Sequence, residues 1–191
     1  DVVPDDLFDQ VADTVTPQGI LGMVDMPVYS LEEILNSRPR LYLMLDDLRD
    51  PGNLGTMIRT SEAAGVAGVI MSKGTVDLFN PKVVRATMGA IFRVPFIYVD
   101  SLPETIMQMR KKEISVYGTI LEESRFYDDP DYTKPSAVVV GNEANGISRE
   151  VRESLSGRIH IPMEGSVESL NAAVAAAVVL YEASRQRRKT D

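Results

Sequence analysis

Residues 41–65 read LYLMLDDLRDPGNLGTMIRTSEAAG, and the way this stretch divides decides the fold. The run 41–47 is compact and apolar and ends in carboxylates, the pattern of a strand buried on both faces of a parallel sheet. A loop follows, then a helix that Gly65 stops. Asn53 is a candidate cap for that helix, and Gly52 and Gly55 leave room for backbone to approach a ligand. A helix starting near Leu54 puts Leu54, Met57 and Ile58 on one face and Thr56, Arg59 and Ala63 off it. Taken alone, Arg59 reads as a surface arginine pointing toward the strand-end loops or solvent.

The same alternation continues on both sides of this unit. Upstream, YSLEEIL (29–35) pairs Ser30 with Glu33 in a capping-box pattern that predicts a short helix. Downstream, GVIM (68–71) reads as a strand, and Asn80 followed by Pro81 starts a helix. FIYV (96–99) is a strand. Ser101 with Glu104 opens a helix that runs to the basic RKK at 110–112. ISVYGTI (114–120) and SAVVVG (136–141) are strands, the second rich in small and β-branched residues. A short helix near 148–155 and a strand RIHIP (158–162) lead to a long Ala-rich helix in 167–189. Strands alternating with helices predict an α/β fold, a mostly parallel sheet with helices on both faces. The stretch TPQGILGMVDMP (16–27) reads as a hinge, and the residues before it as the end of an upstream unit. Because the chain opens at Asp1 rather than Met, a fragment or processed form is expected.

Composition closes several chemistries. The 191 residues include no cysteine and one histidine, His160, so no thiolate nucleophile or Cys/His zinc site is expected, and no metal is predicted. No apolar run is long enough to span a bilayer and no signal peptide opens the chain, so the expected location is cytoplasmic. A net charge of −8 weakens a nucleic-acid reading without closing it, because RQRRK near the end is locally basic. That tail also fits a solvated helix end whose cations suit the macrodipole.

Ligands in open α/β sheets gather at the carboxyl ends of strands, which directs attention to loops 46–55, 118–123, 141–147 and 161–171. GNEANGIS (141–148) spaces its glycines and hydroxyl like a phosphate-binding P-loop, but Ile147 stands where the lysine is required, and no G-x-G-x-x-G occurs. Asp46, Asp47 and Asp50 could hold Mg²⁺ for phosphate hydrolysis or simply satisfy turn donors; the turn reading is favoured. The segment 161–171 combines Ile161, Met163 and Leu170 with short polar residues and free amides, a lining suited to a flat heterocycle.

Taken together, DPGNLGTMIRTSEAAG (50–65), VVVGNEANGIS (138–148) and IHIPMEGSVESLNAAVAAAVVLYEA (159–183) resemble the three motifs of the SpoU-type (TrmH-like) RNA ribose 2′-O-methyltransferases of the SPOUT superfamily. NPKVVRATMGAIFRVP (80–95) also resembles that family's pattern. The resemblance implies a deep C-terminal trefoil knot, a homodimer, and transfer of methyl from S-adenosylmethionine to a ribose 2′-hydroxyl of structured RNA, ribosomal RNA foremost. The alternative is a catalytically silent RNA-binding or dimerisation module of the same fold. The resemblance implies Asn53, Arg59, Glu143, Ser169 and Asn171 as catalytic positions. It implies Thr119, Gly141, Asn142, Ile161, Met163, Ser169 and Leu170 as donor-binding positions. Residues 1–36 resemble a linker from an upstream RNA-binding domain, with 37–191 as the catalytic domain. A guanidinium stays protonated in proteins, so Arg59 is expected to stabilise a developing alkoxide or grip a phosphate rather than act as a base.

Overall fold

A computed structural model describes residues 2–12 and 16–188. Among the described residues seven strands form one sheet: β1 (Leu41–Asp46), β2 (Gly68–Ser72), β3 (Phe96–Val99), β4 (Ser115–Thr119), β5 (Arg125–Phe126), β6 (Ser136–Gly141) and β7 (Gly157–His160). Their order is β3-β2-β1-β6-β4-β7-β5, and every strand pairing is parallel. The helices are α1 (Asp5–Val11), α2 (Leu31–Asn36), α3 (Pro51–Ala64), α4 (Pro81–Ala86), α5 (Leu102–Lys111), α6 (Arg149–Ser154) and α7 (Ala172–Arg188). The two-residue strand β5, the 3₁₀ turn at Ala90–Phe92 and α1 are elements that the sequence pattern does not signal.

The central strands are apolar throughout because both faces are covered. On β1, Leu41, Leu43 and Leu45 face a core shared with Leu54, Met57 and Ile58 of α3 and Ala176, Val179 and Leu180 of α7. Tyr42 and Met44 face the opposite core, with Ile34 and Leu35 of α2 and Leu102, Ile106 and Met109 of α5. β6 divides the same way, with Val138 and Val140 on one side and Ala137 and Val139 on the other. The period-2 alternation thus assigns each side chain to one of two layers.

Three helix entries follow the capping chemistry read from the sequence, and those of α3 and α7 do not. Ser30 and Glu33 form the full capping box, Asn80 accepts from the Lys82 amide and Ser101 from the Glu104 amide. α3, however, begins at Pro51 rather than near Leu54, and its cap is Asp50, whose Oδ1 accepts the Asn53 N–H at 2.7 Å. Pro at the first helical position explains the earlier start, because its missing N–H is one the helix would leave unpaired anyway. Asn53 therefore sits inside the first turn with its side chain released from capping. Likewise β7 ends at His160 and α7 starts at Ala172, so 161–171 is irregular where the Ala-rich pattern predicts an earlier helix start.

The chain's ends differ in how they are held. Arg187 is not part of a solvated tail: its guanidinium donates to the carbonyls of Tyr132, Arg40 and Lys134, tying α7 to the amino ends of β1 and β6. Lys189 of the basic tail lies outside the described residues. At the other end, α1 buries no residue, and Ile20, Met23, Val24 and Val28 in and beside the expected hinge are exposed. No helix among the described residues is long and apolar enough to cross a membrane.

Candidate active site

The sheet order reverses beside β1: β2 and β3 extend one way, β6, β4 and β7 the other, so the β1–β6 seam is the crevice where α/β sheets hold ligands. Asp46 and Gly141 are in register at the ends of these strands, so the two loops that follow start level. The β6 loop folds back on itself through paired Asn142 and Gly146. Asn142 fills the turn: its Oδ1 accepts the amides of Ala144 and Asn145, and its Nδ2 donates to the Asp47 carbonyl at 2.8 Å. Gly141 is required there, since a Cβ would lie 2.2–2.4 Å from the backbone of Gly146 and Ile147. Ile147, in the place of a P-loop lysine, is buried in the core.

This turn delivers Glu143 to the entrance of α3. Its Oε1 accepts from the Asp50 amide at 3.1 Å and from Asn53 Nδ2 at 2.9 Å, and its Oε2 accepts the Arg49 amide at 3.2 Å. Partial burial alone would raise the Glu143 carboxyl, but the hydrogen bonds from Asn53 and from backbone amides outweigh it and hold the group below its ordinary value. A carboxylate only accepts, so it turns the Asn53 amide group toward itself and leaves Asn53 Oδ1 facing outward. That oxygen accepts from Asn171 Nδ2 at 2.9 Å. Asn171 Oδ1 in turn accepts the amides of Ala173 and Val174 and caps α7. One carboxylate thereby fixes the orientation of two amides across three loops.

Beside this relay lies a cleft of about 530 Å³, a volume within the usual range for small-molecule sites. Thr119, Gly141, Asn142, Glu143, Ile161, Met163, Ser169, Leu170 and Asn171 all line it, so three of the four loops chosen from sequence converge on one cavity; the fourth, 46–55, sends no residue into the lining and meets it through the bonds of Asn53 to Glu143 and Asn171. Thr119 is pinned by donation from its hydroxyl to the Val139 carbonyl. Between Met163 and Leu170 no backbone N–H donates to a protein acceptor among the described residues, which leaves a run of amides available to a ligand. Tyr127 and His160 also line the cleft, and sequence reasoning misses both. Tyr127 follows the two-residue strand β5, which carries too little pattern to be read; His160 is engaged by Ser124, whose hydroxyl lies 2.9 Å from Nδ1.

Arg59 stands apart. It is exposed, lies outside the cleft lining and forms no ion pair among the described residues. Six residues beyond Asn53, it is about 9 Å along α3 and about 240° around it. The Asp46–Asp50 carboxylates serve the turn: Asp46 accepts the Ser148 amide, Asp47 pairs with Arg49 and Asp50 caps α3. Among the described residues no group of three or more His, Cys, Asp or Glu could hold a metal ion.

Comparison with known proteins converges on the same region. The profile of the SpoU rRNA Methylase family matches residues 40–181. The 23S rRNA (guanosine(2553)-2′-O)-methyltransferase RlmP of Bacillus subtilis is 38% identical over 94% of this chain and 70% of its own length. The 23S rRNA (uridine(2479)-2′-O)-methyltransferase of Streptomyces viridochromogenes is 34% identical over 97% of the chain and 67% of its own. Among solved structures, the AdoMet-bound rRNA methyltransferase from Sinorhizobium meliloti superposes with a TM-score of 0.87 at 34% identity, covering 95% of this chain and 70% of that one. The SpoU methyltransferase AviRb from Streptomyces viridochromogenes, in complex with AdoMet, gives 0.79 at 35% identity over 86% and 67%. The chain thus spans about two thirds of the length of these relatives.

Proposed function

This chain belongs to the SpoU rRNA methylase family, and from that premise we propose that it transfers a methyl group from S-adenosylmethionine to a ribose 2′-hydroxyl of structured RNA, ribosomal RNA foremost. The observation that carries the reading is the Glu143–Asn53–Asn171 relay standing at the edge of a cleft with unpaired amides and apolar walls. Those walls suit the donor: Ile161, Met163 and Leu170 for the faces of a heterocycle, and the 163–170 amides for its polar edge. When bound, the donor would supply an electrophilic methyl carbon on its sulfonium, open to in-line attack by a ribose oxygen, with the neutral thioether as leaving group as the C–S bond breaks.

The chain's own residues then have two tasks. Asn53, held by Glu143, and Asn171, held by Asn53, present amides of fixed orientation to the ribose, while Ser169 contributes a hydroxyl from the same loop. Fixed donors of this kind lower the barrier by removing the freedom of the reacting hydroxyl. Arg59 supplies positive charge to the developing alkoxide or to the adjoining phosphate, and the hydroxyl proton leaves to an RNA phosphate oxygen or water.

Since Arg59 does not line the cleft of its own protomer, a second copy is part of the reading. The exposed face of α3 carries Thr56, Arg59 and Ala63 beside a stripe on α7 made by Val174, Ala177, Val178 and Tyr181. Val174 and Tyr181 are about half exposed, an arrangement that suits burial against an identical stripe. The path from β7 back across β4 and β6 to α7, packed on α3, supports the deep knot expected of the family. Residues 1–36 serve as the connection from an RNA-binding unit, and a ribosomal RNA substrate implies action in the cytoplasm.

The decisive experiment incubates the protein with methyl-labelled donor and unmodified ribosomal RNA, then maps 2′-O-methyl positions. Label in RNA at a ribose oxygen is expected. Arg59→Lys keeps the charge but loses the planar fork, and turnover is expected to fall by at least about a hundredfold while calorimetric donor affinity stays within a factor of about two. Wild-type turnover in that variant would remove Arg59 from the mechanism, and RNA binding without methyl transfer by the wild type would make the chain a binding module.

A further inference from the structure

A second surface begins where α4 meets α3. Gly55 of α3 touches α4 so closely that a Cβ there would lie 2.4 Å from the Ala86 Cβ and 2.9 Å from the Val83 carbonyl oxygen. α4 is therefore clamped to the first turns of α3, two residues from Asn53. Arg59 follows Gly55 by one turn and stands on the same side of the helix. Beyond α4 the chain turns through Met88, at φ 50, and Gly89, at φ 82, into the 3₁₀ turn that ends at Phe92.

The side chains this geometry exposes form a distinct set. Met88 is 69% exposed and Phe92 58% exposed, although both are large and apolar. Lys82, Arg85 and Arg59 are exposed beside them and form no ion pair among the described residues. The cation next to Phe92 is neutralised: Arg93 pairs with Glu62. Lys82 occupies the first turn of α4, where the helix dipole disfavours a cation, so helix stability does not account for it. The left-handed backbone at Met88 is likewise costly for a residue with a side chain, and it turns an apolar group outward.

Unpaired cations next to exposed aromatic and thioether groups, on a chain of net charge −8, match the two parts of a single-stranded nucleic-acid site: phosphates held by charge, bases by stacking. We infer that Lys82, Arg85, Met88 and Phe92 form an RNA platform beside Arg59, which stacks unpaired bases next to the target nucleotide and holds their phosphates. The inference rests on the RNA reading above and names the surface that positions that substrate. Met88 and Phe92 act as positioning residues; they do not touch the reacting atoms.

The test titrates a fluorescein-labelled single-stranded RNA oligonucleotide of mixed sequence, and unmodified ribosomal RNA as methyl acceptor, against wild type, Phe92→Ala, Phe92→Trp and the pair Lys82→Ala with Arg85→Ala. Phe92→Ala is expected to weaken oligonucleotide binding and raise the KM for RNA about tenfold, with kcat and donor affinity held and Phe92→Trp restoring both. The lysine–arginine pair is expected to lower the slope of log affinity against log salt by roughly 0.7 for each phosphate no longer neutralised. Unchanged affinity, KM and salt slope in a wild-type-active background overturn the platform alone. Dissociation of Phe92→Ala into monomers in sedimentation also overturns it, by assigning the surface to a second copy. A wild type that neither binds nor methylates RNA removes the RNA reading and the platform with it.

Discussion

Both oxygens of Glu143 accept hydrogen bonds from the segment 49–53, and this gives a single side chain control over the entrance of α3. Glu143→Gln keeps the shape but substitutes an NH₂ for one acceptor, so a donor must face the Arg49 amide or face Asn53 together with the Asp50 amide. A cost of about 1 kcal/mol in stability is expected, small because the group is exposed enough for water to compensate. The effect on turnover is expected to be larger, since Asn53 and Asn171 lose their fixed orientation. The pH dependence has a definite sign. The folded carboxyl lies below its ordinary value of 4.5, so its contribution is complete above that value and disappears as pH falls through the depressed folded value. Thermal denaturation of wild type and variant should therefore differ at neutral pH and converge in acid; a constant difference would remove the charge from the account. The sequence suggests Asn53 or Arg59, or loop amides, as partners of Glu143; the structure gives it Asn53 and the amides of Arg49 and Asp50, a choice that spacing cannot make between residues 90 or more positions apart in the chain.

Among the elements, α3 illustrates which local signals suffice and which mislead. Its apolar face of Leu54, Met57 and Ile58 is the one read from the sequence, and Gly65 ends it at φ 74 as a left-handed stop must. Its start is hard to place because Asn53 and Asp50 are both good caps, and only Pro51 decides between them. The same limit explains α7, where small residues in 166–171 extend an alanine pattern that the backbone leaves at Asn171. Gly55 is legible as a glycine but not as a contact, since its neighbours Val83 and Ala86 belong to the next helical unit. Gly55→Ala is expected to push α3 and α4 apart at a cost of about 1–3 kcal/mol. In a protein of this size that lowers the melting temperature by roughly 2–4 °C per kcal/mol. Donor affinity should hold, because the cleft lies on the other side of Asn53, while RNA affinity falls with the displaced α4. Calorimetry and oligonucleotide titration on one preparation would separate the two effects, and a loss confined to the donor would reverse this placement.

At the scale of the whole molecule, the cleft is legible because strand-end loops converge by topology once a parallel sheet is assigned. The position of Arg59 is not, since its spacing on α3 says which face it occupies and nothing about which subunit that face meets. Val174 and Tyr181 stand about half exposed on α7, which packs against α3, and in the proposed dimer Arg59 reaches across to the second copy. Replacing Val174 and Tyr181 together by Glu places like charges opposite each other in a twofold contact, so the protein is expected to sediment as a monomer with its fold intact. A stronger test uses two inactive proteins. In a mixed dimer of Arg59→Lys with Asn171→Ala, an arginine acting across the interface pairs the intact Arg59 of one protomer with the intact cleft of the other. Random re-association should then restore roughly a quarter of the sites, one in each mixed dimer. An arginine acting within its own protomer restores none, because every site then carries one of the two defects. Methyl transfer measured after mixing and re-associating the two variants distinguishes the cases, and silence in a mixture shown by sedimentation to have exchanged subunits would return Arg59 to its own cleft.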